Sequence, residues 1–296
     1  MTNKFEFIIS SPSGCGHAKE LLNQFNSLVL KNWKISILEF EPNCTSFKTK
    51  FLTKNEIEHK RFNQINEFEM RKHAFLDSSA EWLIFLEDHT LLENDFFTNL
   101  ENYVDQECAA PAATFYSKNG TQELIGSRAI YNWVWGASKI SLFPSKPEPV
   151  CSAFLVNKNA ALVEMQNQIY SLKKGELEMK VLPNLIQSSQ MAESAKLCII
   201  HFERVNLVTA MIAVASNARI TGHLEKFLLP RKGWLQHMRF RYFHRSSKIK
   251  KLSKYSFIDS VTLELMALSS FLGVITGRLF GIGDAEIKLI QAHPKI

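Results

Sequence analysis

Residues 81–90 read Glu-Trp-Leu-Ile-Phe-Leu-Glu-Asp-His-Thr, and the apolar run Trp82 to Leu86 stops abruptly at Glu87, Asp88 and His89. A short run that is apolar at every position reads as a strand buried on both faces, as in a parallel sheet. Open α/β sheets bind their ligands beyond the carboxyl ends of such strands. The pattern therefore puts two carboxylates and an imidazole where that architecture does its chemistry. All three side-chain types ligate divalent cations.

The flanking sequence supports the same architecture. Phe5 to Ser10 predicts a first strand, followed by the turn Ser11-Pro-Ser-Gly-Cys-Gly16. That turn lacks the Lys and Ser/Thr of a phosphate loop. Residues 17–31 have helical spacing, with Leu21, Leu22, Phe25, Leu28 and Val29 on one side, and Ile35 to Phe40 predicts a second strand. Strand, helix, strand is the opening of a parallel α/β sheet. Residues 55–79 are expected to be mostly helical and residues 94–104 helical, with strands over 108–116 and 126–135. Three prolines between Pro144 and Pro149 predict a linker. A strand over 150–156, a helix over 159–172, a short helix within 175–188 and a last strand over 196–201 complete the first part.

The 296 residues suffice for one large domain and an appendage, and 46% hydrophobic content fills a substantial core. The composition changes after His201, so the expected division is a catalytic-type domain over 1–205 and a helical region over 206–296. The five cysteines are scattered without a CxxC pair, which argues against a zinc knuckle and fits reduced thiols in the cytosol. The N-terminal residues carry no long apolar core, so no signal peptide is expected. No window reaches the roughly 18 apolar residues of a spanning helix. From Arg231 to Lys254 there are nine Lys or Arg and no acid, interleaved with aromatic residues. Such a segment suits an anionic lipid surface or nucleic acid. The uncharged stretch from Leu265 to Gly277 favours lipid, through a helix lying in the membrane interface, over nucleic acid. The plainer reading is an amphipathic helix packed on the core.

The segment from Met70 to Thr90 resembles the family 2 glycosyltransferases, which have the GT-A fold. Their Arg-Asn-x-Gly helix motif, apolar strand and Asp-x-Asp tip correspond to Arg71-Lys72-His73-Ala74, Ala80-Glu81-Trp82 and Glu87-Asp88-His89, in register. Lys72, Ala74, Glu87 and His89 replace the family's residues at their positions. The strand-turn-helix-strand opening with Pro12 and the acids Glu39 or Glu41 is similar to the family's start. Glu178 with Leu182 and Leu185, then Cys198 to His201, is similar to its late helix and strand. The resemblance covers about residues 4 to 205.

It implies a GT-A-like, Rossmann-type mixed sheet flanked by helices, followed by a helical membrane-associating region. The implied activity is inverting transfer of a sugar from a nucleotide-sugar donor to a glycan or lipid-linked acceptor, assisted by a divalent cation, Mn or Mg. Glu87, His89 and His201 are the implied metal ligands. Pro12, Glu39, Glu41, Arg71 and Asp88 are the implied substrate contacts, with Asp88 facing the sugar or its ribose. Glu178, or second Glu176, is the implied general base. The implied setting is the cytosolic face of an anionic membrane, with nucleic acid not expected as a partner. The alternatives are a GT-A-like binding protein without turnover, and a nucleic-acid-binding module built on the basic segment.

Overall fold

The computed structural model describes residues 4–11, 18–26, 33–40, 57–63, 67–105, 110–121, 124–138, 153–167, 177, 181–188, 197–202, 205–225, 234–252 and 255–281. The chain forms two compact units, Met1–Lys118 with Pro149–Phe202, and Asn119–Glu148 with Glu203–Ile296. This differs from a single cut after residue 205, because residues 119–148 group with the C-terminal half. The order of elements is β1 (Phe5–Ser11), α1 (Ala18–Asn26), β2 (Trp33–Phe40), β3 (Ile57–Phe62), α2 (Glu67–Asp77), β4 (Trp82–Glu87), β5 (Thr90–Leu92), α3 (Phe96–Val104), β6 (Ala112–Thr114), β7 (Tyr116–Asn119), α4 (Ile125–Ser138), β8 (Phe154–Asn157), α5 (Lys158–Asn167), α6 (Leu182–Ser188), β9 (Cys198–His201), α7 (Leu207–Glu225), α8 (Trp234–Leu252) and α9 (Phe257–Phe280).

The first unit is a mixed α/β structure. Its main sheet has the order β3-β2-β1-β4-β8-β6, and a smaller sheet has the order β5-β9-β7. Strands β1 to β4 are parallel, while β8 runs antiparallel to β4 and β6 antiparallel to β8. With β1 on one side and β8 on the other, β4 is interior, and Trp82 to Leu86 are all buried. Alternate residues of β1 serve opposite faces, as a pleated strand requires. Phe7 packs with Phe25 of α1 and stacks on Trp33, at ring separations of 4.8 and 5.2 Å. Ile8 joins a cluster with Met70 and Phe75 of α2, Phe85, Phe154, and Leu182 and Leu185 of α6. The sheet is thus covered on both faces, and Ser10, Ser11, Glu39 and Glu87 gather at the carboxyl ends of β1, β2 and β4.

Two expectations are corrected. Residues 57–62, expected within a helix, form the edge strand β3, paired in parallel with β2. The Lys, Arg and Glu of this segment suit a helix, but the open edge of β2 offers it a full ladder of backbone hydrogen bonds. Its charged side chains are at home on a sheet edge, where Lys34 pairs with Glu58 at 2.5 Å and Lys60 with Asp77 at 3.5 Å. Residues 126–135, expected as a strand from their aromatic content, lie in α4. Ala129, Ile130 and Trp133 fall on one helical side and are buried with Val205, Val214, Tyr242 and Met266.

The second unit packs α4, α7, α8 and α9 around that cluster. The proximity of α7 and α9 is set by glycine. A Cβ on Gly273 would stand 2.2 Å from the Ala215 carbonyl oxygen, one on Gly277 1.9 Å from that of Arg219, and one on Gly222 2.1 Å from that of Val274. No other residue leaves room for backbones at this separation. Ala215, Arg219 and His223 meet Gly273, Gly277 and Gly281 in the same order, so the two helices run parallel. Helix α9 starts on a cap, the Ser256 hydroxyl accepting from the Asp259 N–H at 3.1 Å. It is one continuous helix of 24 residues, long and apolar enough by length and composition to cross a membrane. This corrects the expectation that no window suffices, because Asp259, Glu264 and Arg278 interrupt the apolar run without ending the helix.

Gly277→Ala places a methyl group against the Arg219 carbonyl and is expected to lower unfolding free energy by roughly 1–3 kcal/mol. Leu272→Ala on the exposed side of the same helix is expected to change it by less than about 0.5 kcal/mol. Thermal unfolding of the two variants checks the difference.

Candidate metal centre

The site is built where β1 and β4 end together. Ser10 pairs with Glu87 in the ladder, and the Asp88 N–H extends the pairing by donating to the Ser10 carbonyl at 3.0 Å. The chain then turns through Asp88 and His89, with the Thr90 hydroxyl donating to the Glu87 carbonyl at 2.7 Å. It continues as β5, whose Leu92 exchanges two hydrogen bonds with the side chain of Gln24 on α1, at 2.7 and 2.9 Å. Strand β9 lies antiparallel on β5, with His201 opposite Thr90, and the Phe202 N–H donates to the His89 carbonyl at 2.8 Å. That pairing carries His201 across 112 residues of sequence to the turn.

Three side chains converge there. Oε2 of Glu87 is 3.0 Å from Nε2 of His89 and 3.3 Å from Nε2 of His201, and the two Nε2 atoms are 2.9 Å apart. The His201 and Asp88 side chains are nearly fully buried, while those of His89 and Glu87 keep 26% and 17% of their surface accessible, leaving the cluster partly open to a ligand. On the other ring nitrogen, Nδ1 of His89 is 3.2 Å from Oδ1 of Asp88. A carboxylate there accepts from Nδ1–H and fixes the ring with Nε2 facing Glu87 and His201, where a cation that displaces the Nε2 proton would meet its lone pair. Asp88 is itself fixed, its Oδ2 accepting from the Ser11 hydroxyl at 2.8 Å.

Electrostatics couple the group. Burial opposes ionisation of Glu87, but the neighbouring His89 and His201 outweigh it and hold the carboxyl well below its ordinary range. Burial likewise opposes the charged form of His89, yet Glu87 and Asp88 prevail and raise its pKa well above the usual imidazole value. Burial pushes Glu67, one turn before Arg71 on α2, upward against the pull of Arg71. Arg71 is buried and donates from Nε to the Ser10 hydroxyl at 3.1 Å, while its terminal nitrogen pairs with Glu67 at 2.6 Å.

The donor set fits a divalent cation. Two imidazole nitrogens and a carboxylate oxygen lie 2.9–3.3 Å apart. Adjacent ligands around one ion with bonds of about 2.1 Å have about that separation. Glu87, His89 and His201 form the group of at least three potential ligands found among the described residues.

The other expected site residues divide three ways. Glu39, next to last in β2, pairs with Ser11 and is buried, with Oε2 3.5 Å from Nδ1 of His59, so it lies at the same carboxyl end of the sheet one strand beyond β1. Asp88 and Arg71 reach the site but are buried in contacts with protein groups. There Asp88 positions His89 and Arg71 braces the β1 end. Pro12, Glu41, Glu176 and Glu178 lie outside the described residues, although Leu177 and Val181, which flank Glu178, are buried in the core. Sequence reasoning passed over Ser10, Ser11 and Glu67. The two serines carried the signal that marked Glu87, polar residues closing an apolar strand.

No protein-family model matches the chain, and no curated protein matches it. Solved structures with overall likeness include S. aureus TarS 1-349 in complex with UDP-GlcNAc, at 10% identity and TM-score 0.47, covering 93% of this chain and 90% of that one. The mannosyltransferase PcManGT from Pyrobaculum calidifontis, in complex with GDP-Man and Mn2+, aligns at 8% identity and TM-score 0.46, covering 98% of this chain and 79% of that one. Glucosyl-3-phosphoglycerate synthase from Mycobacterium tuberculosis, with Mn2+, UDP-Glc and phosphoglyceric acid, aligns at 9% and 0.46, covering 78% and 82%.

Without metal, the cluster's charges give a defined pH dependence. The depressed Glu87 contributes stability that is present above its unfolded pKa of about 4.5 and lost as pH falls below it. The elevated His89 contributes stability that is complete below about 6.5 and lost as pH rises through its folded value. In chelator, the difference in melting temperature between the wild type and His89→Gln is therefore expected to shrink from pH 6.5 to 9. A difference that grows over that range would refute the assignment.

Proposed function

We propose that the first unit is a nucleotide-sugar-dependent glycosyltransferase that uses a divalent cation. The observation that carries this reading is the convergence of Glu87, His89 and His201 at the shared carboxyl end of β1 and β4. Its placement matches where open α/β sheets bind ligands. The in-register resemblance from Arg71 to His89 to family 2 glycosyltransferases supports the same activity, and with it an inverting displacement.

Each residue has a task in that chemistry. Glu87, His89 and His201 would hold the cation, which supplies positive charge against the diphosphate as it leaves. Asp88 holds the His89 ring so that Nε2 faces the other two donors. Ser11 orients Asp88, and Glu67 with Ser10 anchors Arg71 behind the strand ends. Glu39, at the same carboxyl end of the sheet, is the proposed contact to the nucleoside. Glu178 is the proposed base for the attacking hydroxyl of a glycan or lipid-linked acceptor, with Glu176 as the alternative and Pro12 and Glu41 as further donor contacts. Two imidazoles among three donors favour Mn2+ over Mg2+, which prefers oxygen.

Hydrolysis of a panel of nucleotide sugars with Mn2+ or Mg2+ tests the reading. Glu87→Ala is expected to lose on the order of a hundredfold or more in turnover, and Mn2+ to support more activity than Mg2+ at equal concentration. Undiminished turnover in Glu87→Ala would sink the proposal. Asp88→Asn, which leaves the three donors in place, is expected to weaken Mn2+ binding by about 10–100-fold, measured by calorimetry.

A further inference from the structure

Helix α9 has two unlike sides. One is buried within the second unit through Leu263, Met266, Ala267 and Val274 and the close glycine contact with α7. On the other, Ile258, Val261, Leu265, Leu268 and Leu272 recur at three- and four-residue intervals, with Leu279 seven residues further on, and so fall on one stripe. Leu272 is 51% exposed and Leu279 63%, and the terminal Phe257 and Phe280 exceed 75%. A continuous apolar patch of this kind marks an interaction site, where scattered single residues would not.

The charged residues of α9 are engaged inside the unit. Asp259 pairs with Arg128 of α4 at 3.1 Å, and Arg278 lies over the Trp234 ring at 4.5 Å. Glu264, at the edge of the stripe, accepts from Lys250 of α8 at 2.5 Å and from the Ser246 hydroxyl at 3.1 Å. That contact lays the basic helix α8 along the stripe's flank. Residues 231–254 hold nine Lys or Arg and no acid, and Arg239 and Lys251 are exposed.

We infer that this face of α9 docks on an anionic lipid surface, its apolar stripe in the acyl boundary and the cations of α8 at the headgroups. Charge selects this occupant. A lipid leaflet of opposite sign satisfies the basic helix while the stripe leaves water. A second copy joined stripe to stripe would bring two such basic helices together, like charge against like. The half of α9 committed to α7 and the paired acids along it make a helix that lies in the interface, not one surrounded by lipid.

Co-sedimentation of the full chain with vesicles tests the inference, and needs neither donor nor metal. Its failure would leave the catalytic reading standing, and failure of that reading would leave this one. Wild type is expected to pellet with phosphatidylcholine–phosphatidylglycerol vesicles far more than with phosphatidylcholine alone. Substituting Leu268→Gln, Leu272→Gln and Leu279→Gln together is expected to lower the partition on the order of a hundredfold, with an unchanged melting temperature because all three are exposed. Arg239→Glu with Lys251→Glu is expected to lower it on the order of tenfold on anionic vesicles. Absence of wild-type pelleting, or equal pelleting by the leucine variant, overturns the inference. So does a dimer in light scattering that the leucine substitutions dissociate while vesicles capture nothing.

Discussion

The pairing of β4 between β1 and β8 is what the first unit depends on. It buries Trp82 to Leu86 completely or nearly so, and five such side chains contribute on the order of 10 kcal/mol by removal from water. That is ample to offset the cost of crowding ionisable groups at the strand's tip. The strand cannot slip by one residue without turning its apolar residues to the wrong faces. Glu87 therefore stands at a fixed point beside Ser10, and the turn that follows delivers His89. The second constraint is the β5–β9 ladder, which adds His201 from far along the chain. Rigid backbone hydrogen bonds, not long flexible side chains, define where the donors meet.

Around the three donors the protein has placed groups that act through others. Asp88 works on His89, Ser11 on Asp88, and Glu67 with Ser10 on Arg71. Such outer contacts fix tautomer and ring orientation, and they make a cluster of like-sized ligands into a site. The opposite displacements of Glu87 and His89 come mainly from the donors themselves, with Asp88 adding to that of His89. Each stabilises the other's charged form against burial, an arrangement that a cation entering the cluster would replace.

Much of the main sheet was legible because β1, β2 and β4 are buried on both faces, so apolar residues dominate all three and run unbroken through Trp82 to Leu86 of β4. Glu87, His89 and His201 could be named together because Glu87 and His89 follow directly on the apolar run of β4 and His201 closes β9. The edge strand β3 was not legible. Half exposed and rich in Lys and Glu, it has the composition of a helix and becomes a strand only because β2 has an open edge. Helix α4 misled in the other direction, since Tyr131, Trp133 and Trp135 suit a strand and only tertiary packing on α7 and α9 makes the segment helical. The partner of Ser11 lies 77 residues away, so its strand-end position was legible but its contact was not, whereas the spacing of Glu67 and Arg71 is an ordinary i,i+4 helical pair that only tertiary burial makes distinctive.

The central claim is that three donors brought together by two strand pairings hold one cation. Anomalous diffraction at the manganese edge, from crystals soaked with Mn2+ and a nucleoside diphosphate, addresses it most directly. The account predicts one strong peak within bonding distance of Glu87 Oε2, His89 Nε2 and His201 Nε2. A peak bound elsewhere, or none at the cluster when the nucleotide is present, would contradict it.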